Sequence, residues 1–141
     1  MLATSERSPY SILITDDDVS CRESLREIIE ADGFRALTAA SGEEAIEIVR
    51  DAPVHLALLD LHMPTLSGLE TMQIVRQYNA MMPCIIITAD TSEGVVRQAF
   101  RARAYSVIPK PVSKQVLLYT VLRALLRVYG IRPEKRETNG G

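Results

Sequence analysis

The chain has no tryptophan, two histidines, two cysteines and only 5% aromatic residues. That scarcity removes several classes of chemistry. Cys21 and Cys84 lie far apart in the sequence and outside any metal-ligand spacing, so they offer neither a disulfide framework nor a sulfur-rich metal centre. Both read as small buried hydrophobes in a reducing compartment. His55 falls inside an apolar run and His62 in a loop, and without partners at metal spacing neither imidazole is a strong ligand candidate. Neither sign of charge dominates. Sixteen Lys and Arg face eighteen Asp and Glu, a formal net charge of −2, and no global field would hold the chain on nucleic acid or anionic lipid. Direct DNA binding is therefore not expected. No apolar run exceeds strand length, so no membrane span is expected, and the polar stretch Met1 to Ser8 has no signal-peptide core. A cytoplasmic protein is expected.

What is present is enough for one domain. A length of 141 residues with 47% hydrophobic content fills a single continuous core. Residues 1–9 read as a polar leader, 10–129 as the domain, and 130–141, polar and glycine-rich, as a tail or the start of a linker.

Within the domain, short apolar runs alternate with helical patterns. Strands are expected at Tyr10–Thr15, Phe34–Ala39, Val54–Leu59, Cys84–Ile87 and Ser106–Pro109. The third is a nearly unbroken apolar segment, as in a parallel strand covered on both faces. Between them, Val19–Ala31 carries Leu25, Ile28 and Ile29 at helical spacing, with Asp18 or Ser20 as N-cap and Gly33 as the stop. Ser41 and Glu44 form a capping box for a helix through Arg50. Further helices are expected at Leu69–Tyr78, from a cap at Thr91 or Ser92 to about Arg103, and from Ser113 to about Tyr129. Five alternations of this kind predict an α/β fold, a doubly wound five-stranded parallel sheet with helices on both faces.

The chemically informative residues recur at one place, the carboxyl ends of the apolar strands: Asp16 and Asp17, Asp60, Thr88 and Lys110. Ligands of open parallel sheets bind at that edge. With the common order 2-1-3-4-5 taken as a template, Asp17 and Asp60 become neighbours, with Thr88 on the far side of Asp60 and Lys110 one strand beyond. Crowded carboxylates need protons or a cation, and all-oxygen ligation without a His or Cys cluster favours a hard divalent ion such as Mg²⁺. Lys110 then adds a second positive charge and the Thr88 hydroxyl a donor, which together suit a phosphoryl group. Asp60, alone at the end of the most buried strand, is the best candidate nucleophile.

Asp16 and Asp17 after a strand, Asp60 followed by Met63, Pro64 and Gly68, Thr88 with Ala89, and Lys110 with Pro111 together resemble the signature of response-regulator receiver domains. The resemblance runs from residue 10 to about 129 and implies a flavodoxin-like fold. It also implies that Asp60 accepts a phosphoryl group from a sensor histidine kinase or a histidine phosphotransfer protein. On the same basis Asp17, Asp60 and the backbone carbonyl of His62 would ligate Mg²⁺, with Asp16 acting through water or as a partner. Thr88 and the Ala89 N–H would hold phosphoryl oxygens, Lys110 would pair with them, and the Lys110–Pro111 peptide would be cis, aiming the lysine inward. Positions such as His62 and Asp90 tune self-hydrolysis in this family.

The chain also departs from the family pattern. Val107 stands where the aromatic switch residue is usual; Tyr105, two residues earlier, faces the same side if strand alternation holds. Arg103 stands where glycine is frequent. Other residues have plainer readings: Asp18 as a helix cap, Tyr10 as strand-start packing, and Met72, Met81 and Met82 as packing or surface. The closing helix, from Val116 to Tyr129, is more apolar than one buried stripe requires. Its surplus either packs in the core or forms, with the fourth helix and last strand, a dimer or effector surface. Two alternatives to a phosphorylation switch stay open, an aspartyl-nucleophile phosphohydrolase and a receiver that binds partners without phosphorylation. The first usually has a second acid where His62 stands, and a substrate cap.

Overall fold

The computed structural model describes residues 9–130, so the leader at 1–8 and the tail from 131 lie outside the described residues. Five strands, β1 (Ser11–Thr15), β2 (Arg35–Ala39), β3 (Leu56–Asp60), β4 (Cys84–Thr88) and β5 (Ser106–Pro109), alternate with five helices. These are α1 (Val19–Ala31), α2 (Gly42–Asp51), α3 (Gly68–Tyr78), α4 (Glu93–Arg101) and α5 (Lys114–Tyr129). Every strand pairing is parallel, in the order β2-β1-β3-β4-β5, as the template supposed.

The two helical layers follow from side-chain alternation along the strands. Ile12, Ile14, Leu56, Leu58, Ile85, Ile87 and Ile108 point to a core shared with Leu25 and Ile29 of α1 and Leu117, Val121 and Leu125 of α5. Leu13, Ala57, Leu59, Cys84 and Ile86 point the other way, to Ala45 and Val49 of α2, Met72 and Val75 of α3, and Ala99 of α4. β1, β3 and β4 are buried at every position. A one-residue slip of register would exchange the two faces of a strand, so hydrophobic burial fixes where each strand ends.

Several local expectations need correction. Val54 and His55 precede β3 rather than belonging to it. The His55 N–H donates to the Ser11 carbonyl while its Nδ1 accepts the Ser11 N–H, an exchange in which the ring itself takes part. Tyr10 and Phe34 likewise fall just before their strands, though both are buried. Glu44 accepts the Ala40 N–H, not that of Ser41, so the capping box of α2 is displaced by one residue. A full capping box instead starts α3, between Ser67 and Glu70. Ser92 is the N-cap of α4 but makes no side-chain cap bond; its own N–H donates to Asp90. Cys84 is buried, but Cys21 is only half-buried.

The α4 helix ends at Arg101, not Arg103, because Arg103 adopts φ +73°, outside the right-handed helical region. Its carbonyl and that of Ala102 accept from the Arg76 guanidinium. The resulting bend leaves Tyr105 outside β5 and packed on the α1–α5 side, whereas Val107 packs on the α2–α3–α4 side. Tyr105 therefore does not share a face with Val107. The left-handed turn is also where glycine is the unstrained residue. Relief of about 1–2 kcal/mol of backbone strain outweighs an unfolded-state entropy cost of about 0.4–1 kcal/mol, so Arg103→Gly is expected to stabilise by roughly 0.5–1 kcal/mol. A melting temperature below that of the unsubstituted chain would contradict this.

Candidate functional site

The end of β1 delivers two adjacent acids to different environments. Thr15 pairs with Leu59 in register, which sets Asp16 beside Asp60, the last residue of β3. Asp16 is 1% exposed whereas Asp17 is open to solvent. Carboxylate oxygens of Asp16, Asp17 and Asp60 all lie within 4.8 Å of one another. Asp18, next in line, caps α1 by accepting the Ser20 N–H and takes no part in the cluster.

Lys110 arrives from the far side of the sheet. Its backbone N–H donates to the Thr88 carbonyl, and the Lys110–Pro111 peptide is cis, as the resemblance implied. Its ammonium lies 3.0 Å from Asp16 Oδ2 and 3.2 Å from Asp60 Oδ1. Burial works against that charge, but the bonds and charges of Asp16 and Asp60 outweigh it and hold the Lys110 pKa above its ordinary value. Burial, followed by the negative charge of Asp16, pushes the Asp60 carboxyl up, against the opposing pull of Lys110. Three carboxylates thus face one ammonium, leaving two formal negative charges to be met. An all-oxygen cluster with that deficit fits one hard divalent cation.

Thr88 ends β4 one step beyond Ile87, the register partner of Asp60, and is buried; Ala89 follows it at the surface. The Thr88 hydroxyl accepts the Asp90 N–H. His62 lies in the loop after Asp60. Its ring is exposed and stands apart from the acidic cluster, with Nε2 3.6 Å from Asp90 Oδ2, so the two loops flanking the site meet through these side chains. The Asp90 carboxyl is held below the ordinary range chiefly by its hydrogen bonds to Ser92. Cys21 is a further neighbour. Its thiol is pushed up to about 11, first by burial and then by Asp16, and stays protonated near neutral pH.

Gly68, read in the sequence only as part of the signature, and Arg22, not read there at all, hold this arrangement. The Gly68 N–H donates to the Leu61 carbonyl at 2.8 Å, and a Cβ on Gly68 would collide with the Asp60 carbonyl oxygen. The close approach of α3 to the end of β3 therefore requires glycine. Arg22 donates from Nη1 to the Asp16 carbonyl at 2.7 Å. Position gave no signal for Arg22, an arginine on a helix otherwise rich in exposed charge.

The model of the response-regulator receiver domain matches residues 12–122. The chain belongs to that family. It is 34% identical over 119 residues to the response regulator RR06 of Streptococcus pneumoniae, covering 84% of this chain and 54% of that protein. The chain spans about half the length of the first curated relatives it matches. Among solved structures, a CheY-like receiver domain protein from Methanospirillum hungatei superposes with a TM-score of 0.81 at 27% identity, covering 86% of this chain and 97% of that one. A chain of the CheX–CheY–BeF₃–Mg²⁺ complex of Borrelia burgdorferi superposes with a TM-score of 0.79 at 27% identity, covering 84% of this chain and 90% of that one. Receiver domains of two-component response regulators share this flavodoxin-like architecture, and the acidic pocket here is of the kind the family uses for Mg²⁺. Among the described residues no helix is long and apolar enough to cross a membrane.

Proposed function

We propose that this receiver domain takes a phosphoryl group onto Asp60 from the phosphohistidine of a sensor kinase or phosphotransfer protein, in a Mg²⁺-dependent reaction in the cytoplasm. The observation that carries the reading is the contact of one ammonium, Lys110, with the buried carboxylates of both Asp16 and Asp60 at the sheet edge. Asp17, Asp60 and the His62 carbonyl would hold the ion, with Asp16 acting through water. Bound Mg²⁺ supplies the positive charge that lets these carboxylates approach an anionic phosphoryl group.

The remaining work falls to the chain's own groups. A carboxylate oxygen of Asp60 forms the new O–P bond as the N–P bond of the donor breaks, and the donor imidazole leaves with the electron pair. Lys110 then shares its charge with a phosphoryl oxygen, and the Thr88 hydroxyl and Ala89 N–H donate to others. Incubation with acetyl phosphate and Mg²⁺ tests the uptake: intact mass is expected to rise by one phosphoryl group, and an unchanged mass in Mg²⁺, or an equal rise in chelator, would contradict the reading.

Loss of the group is expected to depend on Asp90, which meets His62 across the open side of the site. Asp90→Ala frees the His62 ring and is expected to change the rate of acyl-phosphate decay at least severalfold. An identical decay curve would count against a role for this pair.

The output surface proposed is α4, β5 and α5, meeting either a second copy or an effector. In support, Phe100, Val116 and Tyr119 are roughly half exposed or more while Leu117, Val121 and Leu125 fill the core, so α5 has apolar area beyond its buried stripe. Val107 cannot act as an aromatic rotor, so a switch at this surface must use other movements. Light scattering with and without beryllium fluoride and Mg²⁺ distinguishes a dimer from a monomer that presents the surface to another protein.

A further inference from the structure

The Asp16–Asp18 turn is bound at several points. The Asp16 N–H donates to the Ala39 carbonyl, its Oδ1 accepts the Asp18 N–H, and its Oδ2 accepts from Lys110. Its carbonyl accepts the Arg22 guanidinium at 2.7 Å. Arg22 grips the other end of the turn too, because its backbone N–H donates to the Asp18 carbonyl in the first turn of α1. Every polar atom of Asp16 is therefore committed, whereas the Asp17 carboxylate is exposed and makes no hydrogen bond or ion pair among the described residues.

The choice of acceptor is informative. A guanidinium that reaches the turn carrying Asp16, Asp17 and Asp18 could pair with a carboxylate, bidentately where the geometry allows. Arg22 forms no ion pair among the described residues and gives its donor to a main-chain carbonyl instead. A charge-assisted bond to the backbone fixes the turn without consuming a ligand oxygen. We propose that Arg22 is a positioning residue for cation binding: it clamps the Asp16–Asp18 turn so that Asp17 is presented, unpaired, beside Asp60.

This rests on the reading of the acidic cluster as a Mg²⁺ site, where groups that orient ligands typically govern about 10–100-fold of metal affinity. Calorimetric titration of the full chain with MgCl₂ tests it, comparing the unsubstituted chain, Arg22→Met and Arg22→Lys, with melting temperatures taken in chelator. Arg22→Met is expected to weaken Mg²⁺ binding about tenfold. Arg22→Lys, whose ammonium retains a charged donor, is expected to recover most of it. Equal Mg²⁺ affinity in all three chains overturns the inference and leaves the Mg²⁺ site standing, even if the methionine variant melts earlier, since that is the mark of a purely structural arginine. If Arg22→Met does not fold, an unaltered affinity in Arg22→Gln overturns it equally. Absence of Mg²⁺ binding by the unsubstituted chain overturns the underlying site and the inference with it.

Discussion

Asp60→Asn is expected to take up no phosphoryl group from acetyl phosphate, because a carboxamide has neither the charge nor the nucleophilic oxygen of a carboxylate. A lost activity has two sources, lost chemistry and lost fold, and this site separates them. Asp60 sits within reach of Asp16 and Asp17, whose charges disfavour its own. Removing that charge leaves Lys110 paired at 3.0 Å with the more deeply buried Asp16. In chelator the variant is therefore expected to melt no earlier than the unsubstituted chain. With Mg²⁺ the order reverses. A hundredfold excess over Kd stabilises a binding protein by about 2.7 kcal/mol, roughly 10 °C for a domain of this size, and the asparagine variant is expected to gain little of it. Phosphoryl uptake by Asp60→Asn, or equal Mg²⁺ stabilisation of both chains, would contradict the assignment.

Gly68→Ala is expected to damage the site without touching any of its charges. The added Cβ would collide with the Asp60 carbonyl oxygen and lie 2.9 Å from Leu61 Cα, all of it backbone that cannot rotate away. Either α3 retreats or the end of β3, with Asp60, is pushed back. Overpacking of this kind costs about 3 kcal/mol, roughly 10 °C in melting temperature, and slower phosphoryl uptake is expected to accompany it. Gly42→Ala is the control. Its Cβ would also meet neighbours, the Thr71 hydroxyl and Leu66 Cβ at 3.0 Å, but these are side-chain atoms and not the backbone that carries Asp60. Its effect is expected to be clearly smaller, and equal losses from the two glycines would show that their different surroundings do not matter.

Much of this was legible in the sequence because parallel strands covered on both faces must be apolar along their whole length. Asp60 and Thr88 stand out for that reason, each marking an abrupt change of residue type at the end of a fully buried strand, whereas Lys110 follows the half-buried edge strand β5. The strands and their layering follow from the same burial. What stayed hidden depends on contacts between distant segments. Asp16 and Asp17 are indistinguishable as neighbours in a sequence, yet one is sealed among four partners and the other exposed. The 3.6 Å approach of His62 to Asp90 joins two loops that no local pattern connects. The end of α4 was misplaced because a left-handed turn without glycine, at Arg103, leaves no punctuation. The resulting bend also defeated the alternation that would have placed Tyr105 beside Val107. The Ser67–Glu70 capping box, by contrast, was there to be read.

The central claim is that the acceptor is Asp60 itself and not one of the two acids beside it. An acyl phosphate is reduced by borohydride to the corresponding alcohol, which marks the acceptor residue permanently for peptide mapping by mass spectrometry. After treatment with acetyl phosphate and Mg²⁺, the account predicts that the mark falls on Asp60; a mark on Asp16 or Asp17, with Asp60 unchanged, would contradict it.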